Sequence, residues 1–487
     1  MTSETPTIGR PAAADEAAAR YRRQREAHWD DVARRLAHWK SWGGYYQRRL
    51  TELYRLLVPP GLRVLEIGCG EGDLLAALDP SVGVGVDFSA QMIRRAEQRH
   101  PRLRWVVADA HELQLNDTFD AIILSDLVND LWDVQTALGQ VLMHCTPRTR
   151  ILINTYSRVW EPLLSAAAAA GLCKPSLPQN WLTVEDLSGL LRLAHAQVIR
   201  CSAEILCPLP VPGVHALANR YLVKLWPFRL FALTSIIVAK PAPRLPGREA
   251  RVSVIVPARN EAGNVERVVR ETPEMGLGTD IVFVEGHSRD DTVGAIERAM
   301  ASRPDRRCRL LRQRGVGKGD AVRLGFEEAS GDILMILDAD LTVPPADLPR
   351  FYEALRDGTG EFANGVRLVY PMERQAMRFL NLAGNKAFSL AFSWLLGQPV
   401  KDTLCGTKAL WRADYERIAR NRSYFGDFDP FGDFDLLFGA AKSTLQFVEI
   451  PIRYRERTYG QTNIERWRHG WLLLKMVVFA ARRIKFI

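Results

Sequence analysis

The chain has 487 residues, 47% of them hydrophobic and 25% charged. That balance excludes a chain disordered throughout, a fibrous protein and a small disulfide-stapled scaffold, and it leaves length for two large domains or about three ordinary ones. Sixty-five Lys and Arg against 56 Asp and Glu give a net charge of +9, which admits nucleic acid, anionic lipid or phosphorylated ligands without choosing among them.

Seven cysteines without a C-x-x-C pair argue against a zinc ribbon and fit a reducing compartment. Met1 to Asp15 is polar and Pro/Ala-rich, so no secretory signal is expected, and no long uninterrupted apolar run predicts a spanning helix. Residues 1–58 read as an N-terminal helical region, stopped by Pro59-Pro60-Gly61. Over residues 59–240 short apolar runs alternate with helical stretches, the pattern of a parallel sheet with helices on its faces. Residues 241–249 are a Pro-rich linker. A second such series opens at Val252-Ser-Val-Ile-Val-Pro257 and occupies residues 250–487. The fold class expected is α/β, with two Rossmann-like domains.

In the first domain Val64-Leu-Glu66-Ile-Gly68-Cys-Gly70-Glu-Gly72 is a strand entering a Gly-rich turn, where glycines let the backbone bend sharply and approach a ligand. A tight turn alone would also explain it. Two later strands end in acids, at Val84-Gly-Val-Asp87 and Val106-Val-Ala-Asp109, and a fourth runs from Phe119 to Leu124. A dinucleotide dehydrogenase would want G-x-G-x-x-G, whereas Gly72 comes two places after Gly70.

The ordered set resembles the class I S-adenosylmethionine-dependent methyltransferases. The resemblance implies S-adenosylmethionine as cofactor, with Gly68 and Gly70 along its methionine part and Glu66 beneath the turn. Asp87 would accept from the ribose hydroxyls, and Asp109 would meet the adenine amino group. For the methyl acceptor the candidates are Asp126, Asn129 and Asp130, the stretch Tyr156 to Glu161, and Gln179-Asn-Trp181; each reads equally as a cap, loop or core residue. His111 reads as a loop residue.

In the second domain Pro257-Ala-Arg259-Asn-Glu261 closes a strand, Asp280 to Glu285 forms the next, and Gly317-Lys318-Gly319 precedes a helix. Asp332 to Leu337 then ends in Asp338-Ala-Asp340. Two acids one residue apart at a strand end can hold a hard divalent cation that bridges the phosphates of a nucleotide; an ordinary turn is the plain alternative. The series resembles inverting glycosyltransferases of the GT-A fold, family 2, and within them the dolichyl- and polyprenyl-phosphate sugar transferases. The narrowing stretches are Gly365-Val-Arg367, Arg378 to Gly397, Lys401 to Lys408, and Glu449 to Arg453 with Arg457 and Gly460.

That resemblance implies a nucleoside-diphosphate sugar donor lying against Pro257, Arg259, Glu261, Glu285 and Lys318, and Mg2+ or Mn2+ on Asp338 and Asp340. Arg367 and Arg378 would meet phosphates of donor or acceptor, and Arg457 the donor diphosphate. There are departures from the family pattern: Gly286 follows Glu285 where a second acid is usual, Thr342 stands where a Gln ligand is usual, and Asn463 replaces a Lys. An anionic polyprenyl phosphate needs cations and no base, whereas a sugar hydroxyl would need one, for which Asp402, Asp433 and Asp435 are the candidates. Polyprenyl phosphate or another glycolipid is therefore the expected acceptor, with a hydroxyl of a polysaccharide or small molecule as the alternative.

Ile464, Trp467, Trp471, Leu474, Val478 and Ala481 recur at helical spacing among Lys and Arg. They suit either a helix lying in a membrane interface or one packed on the sheet. The expectation is peripheral attachment to a membrane surface, at the cytoplasmic face of the cell membrane. No nucleic-acid recognition motif accompanies the positive charge.

Overall fold

A computed structural model describes residues 12–35, 44–170, 174, 177–243, 247–367, 379–421, 433–453, 455, 459 and 466–487. It divides into two compact units, Met1–Ala242 and Pro243–Ile487, each with its own seven-stranded sheet. Arg378, Arg457 and the stretch 460–463, all singled out from the sequence, lie outside the described residues.

The first sheet is made of β1 (Arg63–Ile67), β2 (Val82–Asp87), β3 (Arg104–Val107), β4 (Phe119–Ser125), β5 (Cys145–Tyr156), β6 (Ala196–Ala203) and β7 (Thr234–Pro241). Their order is β3-β2-β1-β4-β5-β7-β6, with β7 antiparallel to both neighbours. The central strands are covered on both faces, which is why they read as nearly continuous apolar runs. In β1, Leu65 and Ile67 enter one core while Val64 enters the other, as the two-residue period of a strand requires. Helix α1 spans Ala12–Arg35 and α2 spans Gly44–Leu57. Tyr46, Leu50, Leu53 and Tyr54 of α2 form one buried stripe at helical spacing.

The second sheet consists of β8 (Val252–Ala258), β9 (Thr279–Glu285), β10 (Arg307–Arg312), β11 (Ile333–Ile336), β12 (Phe362–Val366), β13 (Lys408–Trp411) and β14 (Phe447–Pro451). The order is β10-β9-β8-β11-β13-β12-β14, with β13 antiparallel to β11 and β12. Val254 and Val256 pack on one side and Ile255 on the other. Each unit is thus a doubly wound, Rossmann-like α/β sheet. In both, the strand order reverses beside the first strand, so the carboxyl ends of β1/β4 and of β8/β11 open a crevice where ligands can sit.

Candidate functional site

The Gly-rich turn after β1 adopts a conformation only glycine takes without strain: Gly68, Gly70 and Gly72 have φ of +75°, +52° and +76°. Gly70 has open space where a Cβ would stand. Gly72 and Gly85 serve packing instead, because a Cβ on either would overlap the ring of Trp105. Two cavities that share Gly68, Asp87 and Leu127 lie over these strand ends. One, of about 270 Å³, is also lined by Glu66, Gly70 and Asp126. The other, of about 150 Å³, is lined by Asp109, His111 and Arg22. The five residues assigned to the cofactor by resemblance are therefore brought to one edge of the sheet.

Their carboxylates are held differently. Asp87 accepts from the backbone N–H of Gly70 (3.0 Å) and of Ser89 (2.9 Å), yet burial pushes its pKa up to about 6. Glu66 accepts from Leu75 N–H (3.0 Å), and burial outweighs that bond and raises it to about 8. Burial also works against an ionised Asp109, but hydrogen bonds from His111 and the charges of His111 and Arg22 prevail and hold its carboxyl below the usual range. Arg22 Nε stands 2.7 Å from Asp109 Oδ2, and His111 Nδ1 2.6 Å from Oδ1. His111 is thus a partner of the candidate adenine acid, and Arg22 brings α1 to the same site, a contribution the sequence reading did not assign.

Of the acceptor candidates, Asp126 lines the larger cavity. It accepts from Tyr46 OH at 2.9 Å and from Asn154 Nδ2, and burial raises its pKa to about 6. Asp130 Oδ2 accepts from Trp29 Nε1 (2.9 Å), and Arg25 Nε of α1 stands 3.4 Å from Oδ1. Asn129 is buried and structural, accepting from Thr155 Oγ1 (3.2 Å), while Asn180 ties the chain to Leu131 O (2.9 Å).

In the second unit one cavity of about 590 Å³ is lined by Pro257, Arg259, Glu261, Lys318, Asp338 and Asp340, together with Asn260, Gln313 and Gly317. Glu285, at the end of β9, is buried and accepts from Ser288 N–H at 2.6 Å. Gly286 keeps its place because a side chain there would crowd Gln313 Oε1, at 2.9 Å from the Cβ position. Gln313 in turn donates to Gly317 O (2.7 Å), fixing the turn that carries Lys318.

Asp338 lies just past β11. Burial opposes its charge, but Lys318 first, then Lys408 and Arg367, hold its carboxyl below the usual range. Lys318 Nζ is 2.6 Å from Asp338 Oδ1. Lys408 is wholly buried and donates to the carbonyl of Cys405. Thr342, where the family usually has Gln, donates its hydroxyl to Asp340 Oδ1 at 2.8 Å. Asp338 and Asp340 face the same cavity as two carboxylates, a donor pair that suits a hard cation. Among the described residues no group of three or more His, Cys, Asp and Glu gathers into a metal site.

Asp402, a candidate base, is fully buried. Oδ2 accepts from Arg367 Nε (2.6 Å) and N–H (3.1 Å), and Oδ1 accepts from Arg367 Nη2 (2.8 Å) and Leu404 N–H (3.1 Å). A carboxylate offers about four lone-pair sites, and all are engaged. Asp435 is also buried, in the helix Asp433–Lys442.

Residues 253–418 match the family model for glycosyl transferase family 2, and residues 64–148 match that for a methyltransferase domain. Over 247 residues the chain is 28% identical to a dolichol-phosphate mannosyltransferase of Pyrococcus furiosus, covering 48% of this chain and 67% of that one. Over 234 residues it is 28% identical to an undecaprenyl-phosphate 4-deoxy-4-formamido-L-arabinose transferase of Pseudomonas aeruginosa, covering 46% of this chain and 64% of the relative. Among solved structures, a TehB-like SAM-dependent methyltransferase of Corynebacterium glutamicum aligns at 16% identity with a TM-score of 0.30, over 44% of this chain and 98% of that one. The chain is therefore an enzyme that joins a methyltransferase domain to a family 2 glycosyltransferase domain.

Proposed function

We propose that the second unit transfers a sugar, with inversion, from a nucleoside-diphosphate donor to polyprenyl phosphate, and that the first unit uses S-adenosylmethionine to methylate an oxygen or nitrogen in the same glycan or glycolipid pathway. The observation that carries the sugar-transfer reading is the single cavity in which Asp338, Asp340 and Lys318 meet below Pro257, Arg259 and Glu261. Similarity to two relatives whose names both specify a lipid-phosphate acceptor supports the acceptor class.

Asp338 and Asp340 would hold Mg2+ or Mn2+, which supplies Lewis-acid stabilisation to a departing diphosphate. The chain's own part is electrostatic. Lys318 and Arg259 would meet donor phosphates and ribose, and Asp402, by holding Nε and Nη2 of Arg367, would orient the rest of that guanidinium toward a phosphate. Arg378 and Arg457 belong to this proposal as further phosphate contacts. A phosphate nucleophile is already anionic and needs positioning without deprotonation. The full engagement of Asp402 speaks against a hydroxyl acceptor deprotonated by that residue, since a base needs a free lone pair.

In the first unit Gly68 and Gly70 would pass along the methionine part, Asp87 would take the ribose hydroxyls and Asp109 the adenine amino group. Asp126, with Tyr46 beside it, is the group best placed to orient the acceptor. Among the described residues no helix is long and apolar enough to cross a membrane. Exposed Trp471, Leu474 and Val478 support a peripheral contact through the helix Arg466–Ala480, at the cytoplasmic face.

The test is a transfer assay on the full chain with labelled nucleotide sugars, polyprenyl phosphate and Mn2+. Asp338→Asn and Asp340→Asn should each lower transfer about a hundredfold in preparations that circular dichroism shows to be folded. Transfer that survives both substitutions, or that requires a hydroxyl acceptor, sinks the proposal. Loss of S-adenosylmethionine binding in Asp87→Asn tests the first unit separately.

A further inference from the structure

The stretch between β6 and β7 is tied down by two buried polar side chains. Asn219, 2% exposed, accepts from the N–H groups of Leu206 (2.8 Å) and Cys207 (2.7 Å) and donates to Cys207 O (2.7 Å). Lys224 is buried against Glu204 and donates to Ala203 O at 3.1 Å. Ile205, Val223 and Leu233 pack inward, while Val214, Leu217, Trp226, Leu230 and Phe231 are between 53% and 74% exposed. Trp160 Nε1 donates to Phe231 O (2.8 Å), and this joins the stretch to the helix Glu161–Ala169, whose Leu163 is 62% exposed.

Polar anchoring from below holds this backbone in place, so the exposed apolar residues are part of a defined surface. So many exposed large apolar side chains on one short stretch mark an interaction site. The charge pattern selects the partner. No Asp or Glu occurs between Glu204 and Glu249, and Arg220 and Arg229 are exposed within the apolar set. Trp, Phe and Leu interleaved with Arg is the composition of a surface that sinks its apolar side chains to the headgroup level while its guanidinium groups meet anionic phosphates.

We propose that this face of the methyltransferase unit seats on a bilayer containing anionic lipid, with Trp226, Leu230 and Phe231 entering the interface and Arg220 and Arg229 on the headgroup phosphates. The site is separate from the helix Arg466–Ala480 of the second unit and does not depend on the sugar-transfer reading.

Hydrogen–deuterium exchange on the full chain tests it by location, with vesicles of phosphatidylcholine and phosphatidylglycerol and with phosphatidylcholine alone. Exchange over residues 209–231 should slow with the mixed vesicles and stay unchanged with phosphatidylcholine alone. Trp226→Ser with Phe231→Ser should abolish that local protection and lower vesicle partitioning about tenfold, while S-adenosylmethionine binding stays intact. Arg220→Gln with Arg229→Gln, which leaves the apolar face in place, should weaken the protection as well. Unchanged exchange on mixed vesicles overturns the proposal. So does equal protection on phosphatidylcholine alone, and so does protection without vesicles that is lost on dilution, which would assign the face to a second copy of the chain.

Discussion

Asp402 is the residue on which two accounts of the glycosyltransferase unit part. If it is a positioning residue, its role is to hold Arg367, and removing it strands a guanidinium that is only 13% exposed. Breaking one side of a buried ion pair costs about 3–5 kcal/mol. For a unit of this size each kcal/mol moves the melting temperature by about 2–4 °C, so Asp402→Ala should lower the melting of the second unit by roughly 6–20 °C. Removing both partners, in Asp402→Ala with Arg367→Met, should recover much of that loss, because an apolar pair of similar volume replaces a buried ion pair at little cost. The pH dependence has a definite sign. Burial disfavours the charge on Asp402, but Arg367 and the N–H of Leu404 prevail and hold its pKa below the usual range. The stabilisation is therefore complete above the ordinary Asp value of about 4 and is lost as the pH falls through the folded value. Melts followed by circular dichroism, with transfer assays on the same preparations, decide the matter. An Asp402→Asn enzyme that melts like the wild type yet has lost turnover with donor binding intact would refute the positioning role and restore Asp402 as a base.

Glu66 holds a proton in the folded unit that the unfolded chain releases, so its contribution declines as pH rises from its ordinary value of 4.5 to about 8. Glu66→Gln should gain stability relative to the wild type between about pH 5 and about pH 8 in thermal melts, and a pH-independent difference would contradict this. Gly85→Ala drives a methyl group into Trp105 and should cost about 1–3 kcal/mol, relieved in a Trp105→Leu background; strict additivity in that double-mutant cycle would refute the contact. Gly406 lies so close to the Lys318–Asp338 pair that a Cβ would displace both groups. Gly406→Ala should therefore cut sugar transfer at least about tenfold while methyl transfer is unchanged, and retained transfer would show that the pair can shift freely.

Much of the fold is legible in the sequence because its signals are local. A strand covered on both faces must be apolar nearly throughout, as Val252 to Val256 and Ile333 to Leu337 are, and such runs stand out against intervening helices. The acids that line the cavities of the two units are legible for the same reason. Glu66, Asp87, Asp338 and Asp340 each lie within or just past the carboxyl end of an apolar strand, and in a doubly wound sheet those ends are where a ligand crevice opens. The spacing of Gly72, which departs from the dinucleotide-binding pattern, is legible too, but its packing task, to admit the Trp105 ring together with Gly85, is not.

What stays hidden are the partners that pair across the chain. Read along the sequence, Arg367 is a phosphate contact and Asp402 a separate candidate base; in the fold Arg367 follows β12, Asp402 precedes β13, and the antiparallel pairing of those strands closes them into one unit. Nothing local announces that contact, because strand order is set by packing across the whole sheet. Lys408 is hidden for a related reason. It reads as an ordinary basic residue, and only the pairing of β13 against β11 and β12 carries it inside, where its charge bears on Asp338. The same reasoning applies to Arg22, which sits on a helix with an unremarkable charge pattern and finds Asp109 at 2.7 Å and Glu112 at 3.7 Å only in the fold. In each case the acid was legible and its pairing was not, because the cation arrives from whichever element the fold packs nearby.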